Sequence, residues 1–151
     1  MIKRAIFPGT FDPFTIGHYS IVMRGLRIFD EIIVAVGVNQ AKKTLFDEDR
    51  RLDIIRQAFK NEPRVNALSY NYLTVDFALS VQAPYILRGI RSVSDFEYEH
   101  SIANTNRSLT GVETVILFTE SDYSFISSTI LRDLISYGKD VSAFLPPGVT
   151  L

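Results

Sequence analysis

The chain has 151 residues, a length typical of one domain, and its lack of cysteine excludes disulfides, thiolate metal sites and cysteine nucleophiles. Its 16 basic and 17 acidic residues nearly cancel, which argues against nonspecific binding to nucleic acid or to a membrane surface. The first residues have no apolar run with a small-residue cleavage site, and no apolar stretch approaches membrane-spanning length, so we predict a cytoplasmic protein.

Short runs of β-branched residues alternate along the chain with segments of helical periodicity. Strands are predicted at residues 4–7, 31–38, 65–70, 85–87 and 113–118, and helices at residues 17–29, 47–59, 74–81, 94–109 and 127–137. Residues 32–38 are almost wholly apolar, which is typical of a strand buried on both faces. The alternation predicts an α/β fold in a single domain, residues 1–151: an open five-stranded parallel sheet with helices on both faces.

The unusual residues of this sequence follow the predicted strands. They occupy residues 9–18, 39–43, 88–91 and 121–129. In open parallel sheets, ligands bind beyond the carboxyl ends of the strands. We therefore expect the functional site at this edge of the sheet.

A glycine-containing loop leads from the first strand into the first helix. Its backbone amides and the positive end of the helix dipole favour an anion, and Gly9 and Gly17 would let a ligand approach the backbone closely. His18 falls in the first helical turn and would face that anion. The alternative is a simple tight turn with His18 on the helix surface, because strand–loop–helix turns are common.

Positive side chains follow the second and fourth strands. Lysines 42–43 would place charge at the mouth of the site, although lysine pairs are commonly just solvated. In the run Arg-Gly-Ile-Arg at residues 88–91, two guanidinium groups offer planar forks of donors that suit phosphate oxygens. The alternative is an internal salt bridge from these arginines to a carboxylate such as Asp95 or Glu99.

Two later segments have an ordinary and a functional interpretation. Residues 95–99 begin a long helix and by themselves indicate an amphipathic helix with a charged face. The hydroxyls of residues 127–129 stand at a helix start, where serine and threonine commonly serve as N-caps. The same hydroxyls and the free amides beside them can also bind a phosphate.

Two distant motifs resemble the signatures of the nucleotidyltransferase superfamily. Thr-Ile-Gly-His at residues 15–18 matches (His/Thr)-x-Gly-His, and Ile-Ser-Ser-Thr-x-x-Arg at residues 126–132 matches the second signature. The run Pro-Gly-Thr-Phe-Asp-Pro at residues 8–13, the Arg-Gly-x-Arg block and Phe-Glu-Tyr-Glu at residues 96–99 are similar to phosphopantetheine adenylyltransferases. Tyr123 stands where many of these have tryptophan, and Thr129 where close relatives often have serine.

This resemblance implies a Rossmann-like nucleotidylyl transferase fold and transfer of AMP from ATP to 4′-phosphopantetheine. It implies that His18, Lys42 and Arg91 are catalytic. The implied acceptor contacts are Thr10, Lys42, Thr74, Arg88 and Asn106. The implied ATP contacts are Gly9, Thr10, Phe11, His18, Gly89, Ile90, Arg91, Glu99, Tyr123, Ser124, Phe125, Ile126, Ser127, Ser128 and Thr129. It further implies a homohexamer, inhibition by coenzyme A, and Mg²⁺ that arrives with ATP, since the sequence has no dedicated carboxylate cage for a metal.

Two other functions stay open at this point. A sister transferase would act on nicotinamide mononucleotide or a phosphorylated alcohol, but the Arg-Gly-x-Arg and Phe-Glu-Tyr-Glu blocks favour the phosphopantetheine branch. A catalytically idle module would sense ATP or coenzyme A, and His18, Lys42 and Arg91 argue against it. The sequence has no Gly-x-x-x-x-Gly-Lys-Ser/Thr and no Gly-x-Gly-x-x-Gly, which disfavours P-loop NTPases and dinucleotide dehydrogenases.

Overall fold

Five strands and five α-helices alternate along the computed structural model, which describes all residues from Met1 to Leu151. The elements are β1 (Arg4–Gly9), α1 (Ile16–Gly25), β2 (Glu31–Gly37), α2 (Glu48–Ala58), β3 (Val65–Tyr70), α3 (Thr74–Ser80), β4 (Tyr85–Ile90), α4 (Val93–Thr110), β5 (Glu113–Phe118) and α5 (Ser128–Ser136). Short 3₁₀ turns lie at Ser121–Tyr123 and Ser142–Phe144. Every predicted strand and helix is present, with ends shifted by a few residues.

The strands form one parallel sheet in the order β3-β2-β1-β4-β5. The chain therefore builds outward from β1 on one side, then crosses back and builds outward on the other. The direction of winding reverses between β1 and β4. Ligands of open α/β sheets bind in the crevice at this reversal, because the loops on its two sides turn away from each other.

Apolar side chains fill both faces of the sheet. One cluster joins Phe7 and Val34 to Val22 of α1, Leu52 of α2 and Leu131 of α5. A second cluster on the opposite face is built from the residues Ile6, Ile33, Ala35, Val75, Phe77, Ala78, Ala83, Ile86 and Val112. Strand β2 is buried from Ile32 to Val36, as its continuous apolar run predicts. The predicted fold class is therefore confirmed, with helices on both faces.

Strand β4 is longer than predicted. Residues 88–91 were expected in a loop, but the strand continues to Ile90, because β5 pairs with it along its whole length, from Tyr85↔Glu113 to Ile90↔Phe118. Arg88 thus lies within the sheet rather than after it. Because the strand fixes its backbone, the Arg88 side chain lies at a defined position in the wall of the crevice.

Helix α4 differs from a simple amphipathic helix. Its only buried residue is Glu99, whereas Val93, Phe96 and Tyr98 are exposed by 77%, 48% and 66%. The carboxylate of Glu99 is buried because it has a partner in β4, described below. Neither α4 nor any other helix combines the length and the apolar character needed to cross a membrane.

Candidate active site

A cavity of about 440 Å³ opens at the crevice beyond the carboxyl ends of β1 and β4. Its walls come from the β1–α1 loop, the first turn of α1, the end of β4, α4 and the start of α5. The predicted site residues in these walls are Gly9, Thr10, Phe11, His18, Arg88, Gly89, Arg91, Glu99, Tyr123, Ile126, Ser127, Ser128 and Thr129. The two distant signature motifs thus meet around one cavity.

Three predicted acceptor contacts lie outside the cavity walls. Lys42 is exposed in the loop between β2 and α2. Thr74 begins α3, where its hydroxyl is hydrogen-bonded to the Tyr70 hydroxyl at 2.9 Å. Asn106 lies far along α4. The cavity therefore gathers most of the predicted ATP residues, while much of the predicted acceptor site is outside it.

Three predicted ATP contacts also lie outside. Ile90 lines a neighbouring cavity, which shares Arg91 with the main one. The Ser124 hydroxyl donates to the Ser121 carbonyl at 2.9 Å. The Phe125 ring is 61% exposed and packs edge-on against Phe144 with ring centroids 6.0 Å apart.

The β1–α1 loop, residues 10–15, folds over its own strand. Phe11 adopts a left-handed backbone with φ 52°, and a Cβ atom built on Gly9 would lie 2.8 Å from the Phe11 Cζ atom. The Phe11 ring thus requires glycine at position 9, whereas close approach of a ligand to this backbone, for which we predicted Gly9, stays a prediction. A Cβ on Gly17 would meet nothing closer than the Thr15 hydroxyl at 3.5 Å, so the structure shows no crowding that requires glycine there.

His18 is held by a capping box at the start of α1. The Thr15 hydroxyl accepts from the His18 N–H at 3.3 Å, and the His18 Nδ1 atom accepts from the Thr15 N–H at 3.0 Å. Since Nδ1 is an acceptor, the proton of the neutral ring sits on Nε2. The rings of Phe7, Phe11 and Phe14 surround the imidazole with centroids 5.0–6.2 Å away. His18 therefore presents an Nε2–H donor from a fixed, apolar setting.

The imidazole of His18 is neutral at physiological pH. Burial first, and then the charges of Arg88 and Arg91, lower its pKa from 6.5 to about 3. Between these two pH values the unfolded chain binds more protons at this site than the folded protein does. His18 therefore lowers the free energy of unfolding as the pH falls from about 6.5 towards 3.

We expect a His18→Gln variant to lose less stability on acidification than the wild type. The measurement is the free energy of urea unfolding at pH 7.5, 6.0 and 4.5, with each variant compared with itself at pH 7.5. His100, the only other histidine, is exposed, and His100→Gln is the matched control. Equal pH dependence in the wild type and His18→Gln would contradict an imidazole that the fold keeps neutral.

Arg88 is anchored to Glu99. Its Nη2 and Nε atoms donate to the Glu99 Oε1 atom at 2.6 and 3.0 Å, and its Nη1 atom donates to the Pro8 carbonyl. The Glu99 side chain is only 8% exposed, whereas that of Arg88 is 31% exposed. The internal salt bridge, the alternative left open by the sequence, is therefore confirmed for Arg88. It also fixes the guanidinium group at the cavity wall.

Arg91 is held more loosely. Its Nη1 atom donates to the Ile126 carbonyl at 2.7 Å, which joins the end of β4 to the second signature motif. Its Nε atom is 3.9 Å from the Asp95 carboxylate, at the limit of a salt bridge, and both side chains are 40% exposed. Arg91 therefore keeps donors and charge available for an anion in the cavity.

The start of α5 uses its hydroxyls internally. The Ser127 hydroxyl caps the helix by accepting from the Ile130 N–H at 3.1 Å, as the N-cap alternative predicted. The Ser128 hydroxyl donates to the Pro13 carbonyl at 2.8 Å, and Thr129 accepts from Arg132 at 3.2 Å. What remains for a ligand is the backbone N–H groups of Ser128 and Thr129, which have no acceptor within the helix.

The comparison with known proteins decides the family. A family model described as cytidylyltransferase-like matches residues 6–134. A phosphopantetheine adenylyltransferase of Bacteroides fragilis is 53% identical over 99% of this chain and 100% of its own length. One of Porphyromonas gingivalis is 51% identical over 97% of this chain and 96% of its own. The chain belongs to the phosphopantetheine adenylyltransferase family.

Solved structures share the fold at lower identity. A bifunctional NMN adenylyltransferase/ADP ribose pyrophosphatase of Francisella tularensis superposes with a TM-score of 0.73, at 13% identity, over 98% of this chain and 46% of that one. A lipopolysaccharide core biosynthesis protein of Thermoplasma volcanium gives a TM-score of 0.58, at 21% identity, over 80% of this chain and 98% of that one. As a member of the phosphopantetheine adenylyltransferase family, the protein is a nucleotidyltransferase enzyme.

The carboxylates of this adenylyltransferase's cavity do not form a metal cage. No three acidic, histidine or cysteine side chains are grouped to hold an ion. Asp12 accepts backbone N–H groups from Leu45 and Phe46 at 2.8 and 2.9 Å. Glu99 holds Arg88, and Asp95 accepts from the Arg91 N–H at 3.2 Å. The oxygen ligands that Mg²⁺ prefers are thus largely engaged with protein donors.

Several residues that line the cavity of this adenylyltransferase were not predicted from the sequence. These residues are Phe7, Pro8, Asp12, Thr15, Ile21, Asp95, Tyr98, Thr119 and Arg132, while Gly17, which the sequence did single out, also lines the cavity. Arg132 donates to the Asp12 carbonyl at 2.9 Å and so joins the two signature motifs. It is the last residue of the second motif, and one helical turn from Thr129, so the motif itself carried the signal that could have identified it.

Proposed function

We propose that the protein transfers AMP from ATP to 4′-phosphopantetheine and releases dephospho-coenzyme A and pyrophosphate, in coenzyme A biosynthesis. The observation that carries this proposal is identity above 50% to phosphopantetheine adenylyltransferases over nearly the whole chain. The cavity supports it, because it offers neutral and cationic donors for phosphate and no Ser-His-Asp triad.

The chemistry is an in-line displacement at the α-phosphorus of ATP. A phosphate oxygen of the acceptor forms the new P–O bond, and the bond from the α-phosphorus to the oxygen bridging to the β-phosphate breaks, so that pyrophosphate leaves. A phosphate monoester has a second pKa of about 6 and is already an anion near neutral pH. No general base is therefore needed, and the protein acts by positioning and by stabilising charge.

His18 is the proposed transition-state donor. Its Nδ1 atom accepts a hydrogen bond from the Thr15 N–H and is therefore not free to act as a base. The ring acts through its other nitrogen, as an Nε2–H donor. A neutral donor costs less to bury than an imidazolium, and with a pKa of about 3 the ring is neutral at physiological pH while its Nε2–H still donates. Nε2–H would stabilise the charge that develops on the α-phosphate oxygens.

The other cavity residues divide between the two substrates. Arg91 and the first turn of α5 would hold the β- and γ-phosphates, with Tyr123 packed on the adenine. Thr10 would lie between the substrates. Arg88 and Lys42 would orient the acceptor's phosphate, with Thr74 and Asn106 along the rest of the acceptor. The further ATP contacts proposed are Gly9, Phe11, Gly89, Ile90, Glu99, Ser124, Phe125 and Ile126.

The metal ion, the cellular location, the oligomeric state and the inhibitor of the enzyme are proposed as well. Mg²⁺ would enter on the phosphates of ATP, because the carboxylates of the cavity are engaged with protein donors. The enzyme would work in the cytoplasm as a homohexamer that coenzyme A inhibits. Exposed apolar side chains on α4, such as Phe96 and Tyr98, are compatible with assembly. Sedimentation velocity measures the oligomer, and a hexamer mass is expected.

The first experiment compares acceptors. Purified protein with Mg-ATP is given 4′-phosphopantetheine or nicotinamide mononucleotide, and pyrophosphate release is followed. Release with phosphopantetheine alone is the expected result. Release with the mononucleotide alone would keep the fold and the role of His18 but overturn the acceptor assignment. ATP binding without release for either acceptor would favour the sensor function.

A further inference from the structure

Arg51 is a buried charge without a carboxylate partner. It lies in the first turns of α2 beside Leu52 and is only 3% exposed. Five salt bridges join other residues of the protein, and none includes Arg51. Burying a guanidinium charge is costly unless its N–H groups are satisfied. Its partners therefore show what the residue does.

The guanidinium group of Arg51 joins three backbone segments. Its Nη1 atom donates to the Thr10 carbonyl at 2.9 Å and to the Gly37 carbonyl at 3.3 Å. Its Nε atom donates to the Phe46 carbonyl at 3.1 Å. Thr10 follows β1, Gly37 ends β2, and Phe46 closes the loop between β2 and α2. One side chain thus ties the carboxyl ends of two adjacent strands to that loop.

Asp12 holds the same loop from the other side. Its carboxylate, 3% exposed, accepts the N–H groups of Leu45 and Phe46. The Phe46 residue is thus bound at its N–H by Asp12 and at its carbonyl by Arg51. Residues 38–46, which we call the lysine loop, are otherwise mostly exposed, and Lys42 lies in their middle. The C-terminal end of the lysine loop is therefore fastened to the β1–α1 loop by Asp12, and Arg51 ties that end to Thr10 and to Gly37, the residue before the loop.

We propose that Arg51 is a positioning residue that sets the lysine loop against the β1–α1 loop, and so places Lys42 relative to Thr10 and His18. This inference rests on the proposed function, in which Lys42 orients the acceptor's phosphate. Misplacement of a reacting group by about 1 Å can cost 10²-fold in rate. Arg51 touches no substrate in this scheme, and it acts through backbone carbonyls.

The first test compares Arg51→Met with Arg51→Lys. Methionine keeps the apolar stem and removes every donor, and we expect kcat to fall about 30-fold in protein that is folded by circular dichroism. Lysine keeps the charge but gathers its donors on one atom, so it cannot reproduce the three contacts, and kcat should fall about fivefold. Arg56→Met is the matched control, because Arg56 also donates to a carbonyl from α2, that of Ala67, away from the cavity. It should leave kcat within about twofold.

The second test is a double-mutant cycle with Lys42→Ala. If Arg51 positions Lys42, Lys42→Ala should cost about tenfold less in kcat in the Arg51→Met background than in the wild type. Equal costs in both backgrounds would overturn the inference while leaving the proposed role of Lys42 intact. No cost of Lys42→Ala in the wild type would instead overturn that role and, with it, the inference.

A purely structural role has its own signature. Arg51→Met would then unfold at a lower temperature but show wild-type kcat below that temperature, which overturns the inference. Should Arg51→Met not fold, Arg51→Lys decides by the same cycle: a reduced cost of Lys42→Ala supports positioning, and an unchanged cost overturns it.

Discussion

Replacing His18 by alanine is expected to lower kcat roughly 10²-fold or more, while the affinity for ATP changes little. Removal of one preorganised donor aimed at a transition-state charge has an effect of this size. The donor is preorganised here because Thr15 fixes the ring through Nδ1 and three phenylalanine rings enclose it. Turnover is measured by pyrophosphate release at saturating substrates, and ATP binding by calorimetry.

Two controls separate catalysis from folding in the His18 experiment. The alanine variant also loses a capping interaction worth about 1 kcal/mol, so kcat is compared well below its unfolding temperature. His100→Ala removes the other histidine, on the exposed surface of α4, and should leave kcat unchanged. A His18→Ala enzyme within a few-fold of the wild type would contradict the proposed role.

Replacing Arg88 by methionine is expected to destabilise the fold by about 3 kcal/mol. Breaking a buried ion pair leaves an uncompensated charge, here the carboxylate of Glu99, whose side chain is only 8% exposed. The value is taken at the lower end of the usual range because the Arg88 side chain is 31% exposed. The measurement is the free energy of urea unfolding at pH 7.5.

The Arg88 prediction has an internal check. In the double variant Arg88→Met/Glu99→Gln the orphan charge is gone, so most of the lost stability should return. Arg64→Met breaks the exposed pair with Glu62 and should have a much smaller effect. If the double variant is no more stable than Arg88→Met, the loss comes from packing and not from the unpaired charge of Glu99.

Local patterns were enough to predict the strands and helices. The continuous apolar run of β2 and the helical spacing in α2 reflect burial on two faces and on one, which any compact α/β fold imposes on its sequence. The two signature motifs were also visible, because each is a short run of residues that are adjacent in the chain. These features are local, so the sequence by itself determined them.

Tertiary structure decided which groups meet. The pairing of Arg88 with Glu99 joins β4 to α4, and the contacts of Arg51 join α2 to the ends of two strands. The need for Gly9 comes from the ring of Phe11 two residues later, which only the left-handed backbone of Phe11 brings back onto the strand. The low pKa of His18 likewise depends on burial and on the charges of β4 and its end. Strand order and side-chain partners arise from contacts between distant residues, and composition and periodicity carry no record of them.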